Sequence, residues 1–168
     1  WYTDFGSQFV GEVDLKTGKT TEHAIPVLKP EQPRGVLELK PDQGGNLWAS
    51  MMYQGGIAML DTKTNQVKTY KLPEQWQGAN TQESMVSPMN HHVDGFVWTN
   101  NQEDHSILRV NVKTGQWENL GVMKDKNGKD VNGYDLITDE QNNLYLLEFG
   151  GTKIGRVNAK TKEFKYWE

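Results

Sequence analysis

The sequence contains no cysteine, which removes disulfides, thiolate nucleophiles and cysteine-held metals, fits any compartment and so locates nothing. It has no apolar run approaching the roughly eighteen residues of a membrane helix, so no membrane span is expected. Neither sign of charge dominates: 18 basic residues face 22 acidic ones, a net charge of −4 with the signs interspersed. That balance argues against a nucleic-acid partner and against a polybasic membrane patch. Also missing are a nucleophile elbow, a Gly-rich phosphate loop opening a helix, a zinc-spaced His/Cys set and any Asn-x-Ser/Thr site. The chain opens on Trp1 with no charged-then-apolar leader ahead of it, and it opens in mid-repeat. The expectation is a part of a longer protein.

What is present is a repeat. Trp1–Lys19, Trp48–Gln66, Trp98–Gln116 and Tyr145–Glu163 align without gaps. In each, an aromatic (Trp1, Trp48, Trp98, Tyr145) stands 13 positions before Asp14, Asp61, Asn111 or Asn158. Lys-Thr follows two residues later (Lys16, Lys63, Lys113, Lys160). The steps between anchors, 47, 50 and 47 residues, suit the blades of a propeller. With 168 residues, 35% of them hydrophobic and 17 of them glycine, the chain can build one globular unit with a modest core.

Each copy reads as the same series of short strands. An aromatic strand around the anchor is followed by one of period-2 alternation: Phe9–Asp14, Ile57–Asp61, Ile107–Asn111 and Ile154–Asn158. A tight turn comes next, its Asp or Asn accepting from its own backbone. Gly18, Asn65 and Gly115 supply the residue that tolerates positive φ, and Lys162 supplies it less well. A third strand leaves the turn, and a looser segment leads to the innermost strand of the next blade (Gly35–Lys40, Ser84–Pro88, Tyr134–Thr138). The fold class is all-β: β-propeller blades in four repeats, roughly 1–34, 35–83, 84–132 and 133–168, in a single 1–168 segment with about fifteen antiparallel strands and no convincing helix. The first blade lacks its innermost strand. The anchor aromatics read as rings packed between blades.

Two stretches carry a family likeness. Trp1-Tyr2-Thr3-Asp4-Phe5-Gly6 with Gly11-Glu12-Val13-Asp14 and Thr17–Glu22, and Asn143–Gly150 continuing into Lys153–Val157, resemble the virginiamycin B lyase (streptogramin B lyase) repeat, G-x-L-W-F-T-E … N-x-I-G-R-I-D-P-x-T-G-x-x-T-E-Y. The likeness is strong in the first and fourth copies and loose in the others. It implies a seven-bladed ring, of which this chain holds a little over half, so the remaining blades of the parent propeller are an expected partner. It also implies a Mg2+-dependent lyase that opens a cyclic depsipeptide, with a histidine base beside metal-holding carboxylates. The positions matching that Glu/His neighbourhood are Asp4-Phe5-Gly6 and Glu148-Phe149-Gly150, a carboxylate in each and no histidine.

In a propeller of this strand order, the loops between second and third strands share one face with the linkers between blades. Here the linkers Val27–Arg34, Glu74–Glu83 and Met123–Asn132 are the longest irregular stretches, and long loops on a rigid scaffold are where binding usually resides. Asp4 and Glu148, three after the anchor, are the candidate metal ligands; they also read as ordinary acidic strand ends. His105 is the candidate base, beside Glu103 and Asp104, or else a solvated loop histidine. His91-His92 reads as bland, because neighbours in extended chain point apart. Trp76–Met85 is the least repeat-like stretch, so Gln82 and Glu83 are candidate ligand-binding residues. Arg34, Asn101 and Tyr134 join them at the mouth of the channel.

Two readings of function stand side by side, with a third in which the chain is a truncated piece with no activity of its own. One is a metal-dependent lyase acting on a cyclic depsipeptide or a similar ester or lactone. The other is a non-catalytic propeller domain that binds a protein, peptide or carbohydrate through its long-loop face. In both, a small molecule or peptide sits at the channel mouth. A periplasmic or secreted home is the expectation.

Overall fold

The computed structural model describes residues 1–77 and 83–168, with backbone alone at 83–85; Gln82 lies outside the described residues. Among the described residues, fifteen strands form four antiparallel sheets, each a simple meander. Blade one holds β1 (Tyr2–Thr3), β2 (Phe9–Val13) and β3 (Thr20–Ala24). Blade two holds β4 (Val36–Pro41), β5 (Leu47–Met51), β6 (Gly56–Asp61) and β7 (Gln66–Lys71). Blade three holds β8 (Glu83–Ser87), β9 (Phe96–Asn101), β10 (Ile107–Asn111) and β11 (Trp117–Asn119). Blade four holds β12 (Gly133–Thr138), β13 (Leu144–Glu148), β14 (Ile154–Val157) and β15 (Phe164–Trp167). The strand count and the three-stranded first blade match the sequence reading. Two short helical pieces do not: a 3-10 turn at Glu74–Trp76 and a four-residue helix, α1 (His91–Asp94). The latter ends on Gly95 at φ 82°, where a glycine takes the left-handed conformation without a Cβ clash. Among the described residues no helix is long and apolar enough to cross a membrane.

The repeated turn closes in the same way four times. Asp14 Oδ1 accepts from the Lys16 and Thr17 amides, Asp61 Oδ1 from Lys63 and Thr64, Asn111 Oδ1 from Lys113 and Thr114, and Asn158 Oδ1 from Lys160 and Thr161. Gly18, Asn65, Gly115 and Lys162 carry the positive φ, at 70°, 60°, 74° and 63°. These groups are therefore turn chemistry, spent on backbone donors.

The core lies between blades. Trp48 is wholly buried, stacks on Tyr70 at 5.5 Å and packs with Val86, Val97 and Val110 of blade three. Trp98 is buried against Leu136, Leu144 and Leu146 of blade four, and its Nε1 donates to the Asn142 carbonyl at 3.0 Å. A ring of this size removes about 150–250 Å² from water, an upper estimate of about 4–6 kcal/mol at about 25 cal/mol/Å². In the outer blades the anchor is less covered: Trp1 lies beside His23 at 5.5 Å, and Tyr145 below the Arg156 guanidinium at 5.8 Å. Blade one is seated on blade two by Gly35, where an added Cβ would stand 2.0 Å from the Phe5 carbonyl oxygen. The outward face of blade four carries Ile137, Leu147, Ile154 and Trp167, all between 42% and 57% exposed.

Candidate functional site

All three described innermost strands carry an irregularity at the same point. The register shifts between Val36 and Glu38, between Glu83 and Val86, and between Gly133 and Asp135. A bulge turns successive side chains toward a new direction, and here it brings charged groups from separate blades together. Glu38 and Lys40, two apart on β4, share one face. Glu38 Oε2 accepts from the Val86 amide of β8 at 3.0 Å, and its Oε1 meets Lys40 Nζ at 2.9 Å. Lys40 Nζ also donates to Asp135 Oδ1 at 2.8 Å and to the Leu136 carbonyl at 2.6 Å. One ammonium thus ties blade two to blade four while the neighbouring carboxylate ties blade two to blade three. Burial pushes the Glu38 carboxyl up, above its ordinary value, against the opposing pull of Lys40 and the Val86 amide. Beside this cluster opens a cavity of about 510 Å³ lined by Leu37, Glu38, Lys40, Tyr134, Asp135 and Leu147.

Of the two residues expected to hold a metal, Glu148 is spent within its own loop and Asp4 only at one oxygen. Asp4 is exposed, and its Oδ1 accepts from the Gly6 amide at 2.7 Å, within its own loop. Glu148 Oε2 accepts from the Thr152 and Lys153 amides at 3.1 and 3.2 Å, and Lys153 Nζ lies 3.3 Å from both carboxylate oxygens. Burial opposes its ionisation, but the Lys153 amide and ammonium outweigh it and hold the Glu148 carboxyl below its ordinary value. A cation is already present there, and it is a lysine. Asp4 and Glu148 lie in blades one and four, and among the described residues no three His, Asp or Glu side chains gather as a metal site. The pair therefore does not fit a shared Mg2+.

His105 sits in the β9–β10 loop at φ 61°. Its Nδ1 lies 3.1 Å from Asp130 Oδ2, whose other oxygen meets Lys124 Nζ at 2.5 Å. Lys124 and then His105 hold the Asp130 carboxyl below its ordinary value. This clasp joins a loop of blade three to the linker that enters blade four. Asn101 is buried, donating to the Trp76 carbonyl at 3.2 Å and accepting from the Glu103 amide at 2.9 Å. It lines a smaller cleft of about 300 Å³ with Gln75, Trp76, Gln77, Glu103 and Asp104. Glu83 begins β8 and pairs in register with Asn101. Arg34 is exposed just ahead of β4. Tyr134 is 47% exposed, its ring 4.9 Å from that of Phe149. Among the described residues of the expected set, Tyr134 alone lines the axial cavity. His91 Nε2 meets the buried Asp42 carboxylate at 2.9 Å on the other face, so it is structural.

Sequence reasoning passed over Glu38, Lys40 and Asp135. The available signal was a pair of charges at alternate positions of an otherwise apolar innermost strand, Val36-Leu37-Glu38-Leu39-Lys40. It also passed over Gln54, which organises the first long linker. Gln54 is fully buried; its Oε1 accepts from the Leu28 and Lys29 amides at 2.9 Å each, and its Nε2 donates to the Lys29 and Pro33 carbonyls at 3.0 Å.

No protein-family description matches the chain, and no curated protein matches it in sequence. Solved structures do match in shape. Virginiamycin B lyase from Staphylococcus aureus superposes with a TM-score of 0.71 at 17% identity, over 96% of this chain and 49% of the lyase chain. A streptogramin B lyase structure gives 0.71 at 21% identity, over 97% and 48%. A chain of a nidogen/laminin complex gives 0.65 at 12% identity, over 98% and 59%. The chain thus spans about half the length of the lyase chains it matches. At such identities the likeness is one of fold alone: the chain shares the β-propeller arrangement of those structures.

Proposed function

We propose that this propeller segment is a binding scaffold, taking a protein, peptide or carbohydrate group at the mouth of its axial channel, and that it performs no chemistry of its own. The observation that carries this reading is the fate of the three groups a lyase would need. Asp4 accepts from its own loop, Glu148 is neutralised by Lys153, and His105 is engaged by Asp130. A metal must find several oxygens gathered in one place, whereas Asp4 and Glu148 stand in blades one and four; His105, which meets Asp130 through Nδ1, has no such metal-holding group beside it among the described residues. What remains open on that face is surface suited to contact: Tyr134, Phe149 and Phe5 stand 47%, 61% and 64% exposed around long linkers. Exposed aromatic rings on a rigid frame supply contact area at small entropic cost.

The test is amide chemical-shift mapping of the chain against peptide and oligosaccharide panels, with a cyclic depsipeptide assayed for turnover with and without Mg2+. Binding is expected to move signals of Arg34, Asn101, His105 and Tyr134 and to leave the Lys-Thr turns still. Turnover of the depsipeptide that depends on Glu148 or His105 would overturn the reading, as would shifts confined to the opposite face.

A further inference from the structure

The axial cavity narrows the class of ligand. Its walls are of two kinds: apolar and aromatic at Leu37, Leu147 and Tyr134, and charged at Glu38, Lys40 and Asp135. The charged wall does not sum to zero, since two carboxylates share one ammonium. That ammonium is also fully used. Its three hydrogens have three acceptors, Glu38 Oε1, Asp135 Oδ1 and the Leu136 carbonyl, at 2.9, 2.8 and 2.6 Å, and an ammonium has no fourth to give. Glu38 is likewise committed, one oxygen to Lys40 and the other to the Val86 amide. Asp135 is not: its side chain is 52% exposed, and Oδ2 has no hydrogen-bond partner among the described residues. The cavity therefore offers one free carboxylate oxygen with a net negative charge behind it. Around that oxygen lie two leucines and a tyrosine ring packed against Phe149.

We infer that this cavity binds a primary ammonium carried on an apolar stem, the ammonium on Asp135 Oδ2 and the stem along Leu37, Leu147 and Tyr134. A neutral hydrocarbon would leave the carboxylate without a partner, and an anion would meet Glu38 and Asp135 with no cationic hydrogen to receive it. An aromatic face adds attraction for a cation within about 6 Å of its centroid. A lysyl side chain of a partner peptide and a free alkylamine share this chemistry. The inference rests on the channel mouth being a binding surface and names what that surface takes.

The experiment is calorimetric titration of the whole chain with hexylammonium, hexanol and hexanoate, followed by an acetylated, amidated peptide with one central lysine. Hexylammonium is expected to bind, and hexanoate not to. Asp135→Asn is expected to weaken hexylammonium about tenfold, equivalent to about 1.4 kcal/mol, while Asp135→Glu recovers most of the loss. Because Asp135 also holds Lys40, each variant is melted first. Loss of binding in a variant whose melting temperature is unchanged is the supporting result, and the Glu variant separates charge from shape. If the lysyl peptide binds more tightly than hexylammonium, the source is a protein partner; if it binds more weakly, a small amine. Equal binding of hexylammonium, hexanol and hexanoate, or an Asp135→Asn chain that binds as well as the parent, overturns the inference. Peptides or sugars that shift the mouth residues while hexylammonium does not would sink this inference and leave the scaffold reading standing.

Discussion

The turn entering the anchor strand of blade two holds a buried carboxylate whose removal can be costed. Asp42 has a wholly buried side chain. Its Oδ2 accepts from Trp48 Nε1 at 3.0 Å and Asn46 Nδ2 at 2.9 Å and meets His91 Nε2 at 2.9 Å, while Oδ1 accepts from the Asn46 amide at 3.0 Å. Blade four repeats the turn with Asp139, which accepts from the Gln141 and Asn143 amides and from Asn143 Nδ2, all between 2.9 and 3.0 Å. There the anchor is Tyr145, so no indole is involved. Asp42→Asn turns an amide hydrogen toward donors, weakening bonds that each contribute about 1.5–3 kcal/mol when one partner is charged. With partial rearrangement we expect a loss of about 2–3 kcal/mol, or about 5–10 °C in Tm for a chain of this size. Asp139→Asn should cost about 1 kcal/mol.

Acidity supplies the sign. Burial alone would raise the Asp42 pKa, but the Trp48, Asn46 and His91 hydrogen bonds outweigh it and the folded value is depressed. The unfolded chain then binds the proton more readily. The stabilisation is complete above the unfolded value near 3.8 and is lost as pH falls through the folded one. Urea unfolding followed by tryptophan fluorescence should therefore show the wild type and Asp42→Asn far apart at neutral pH and converging on acidification. Equal costs at Asp42 and Asp139, or a gap that persists in acid, would refute the assignment of this stability to the buried carboxylate.

Two further outcomes are expected. Gln54→Ala leaves the Leu28 and Lys29 amides without their acceptor, so their hydrogen exchange should quicken and stability fall by about 1–3 kcal/mol; unchanged exchange at those two amides would show that the linker is held by something else. Lys162→Gly relieves a side chain at φ 63° and should raise stability by about 0.5–1 kcal/mol, its bridge to Glu118 at 3.1 Å being a surface pair of small worth; a lower melting temperature would mean the bridge outweighs the backbone.

The division between what the sequence discloses and what it hides follows the range of the interactions. Strands, turns and anchors are legible because each is decided within a few residues: Asp14 answers to Lys16 and Thr17, and Gly18 takes the φ that the turn demands. Repetition then multiplies a weak local signal by four. The same locality decided Asp4 and Glu148 in a way the repeat alignment could not display. Their partners, Gly6 in one case and Thr152 with Lys153 in the other, lie two to five residues along the chain, so the fate of each carboxylate belonged to its own loop and not to a shared centre. The axial cluster is hidden for the opposite reason. Lys40 and Asp135 are 95 residues apart and meet because bulges in β4 and β12 turn both inward across an intervening blade. No periodicity of 47 to 50 residues reports that, since the blade between them carries Ser87 where its neighbour carries Lys40. A repeat protein announces its frame through what its copies share, and it builds its site from the positions at which they differ.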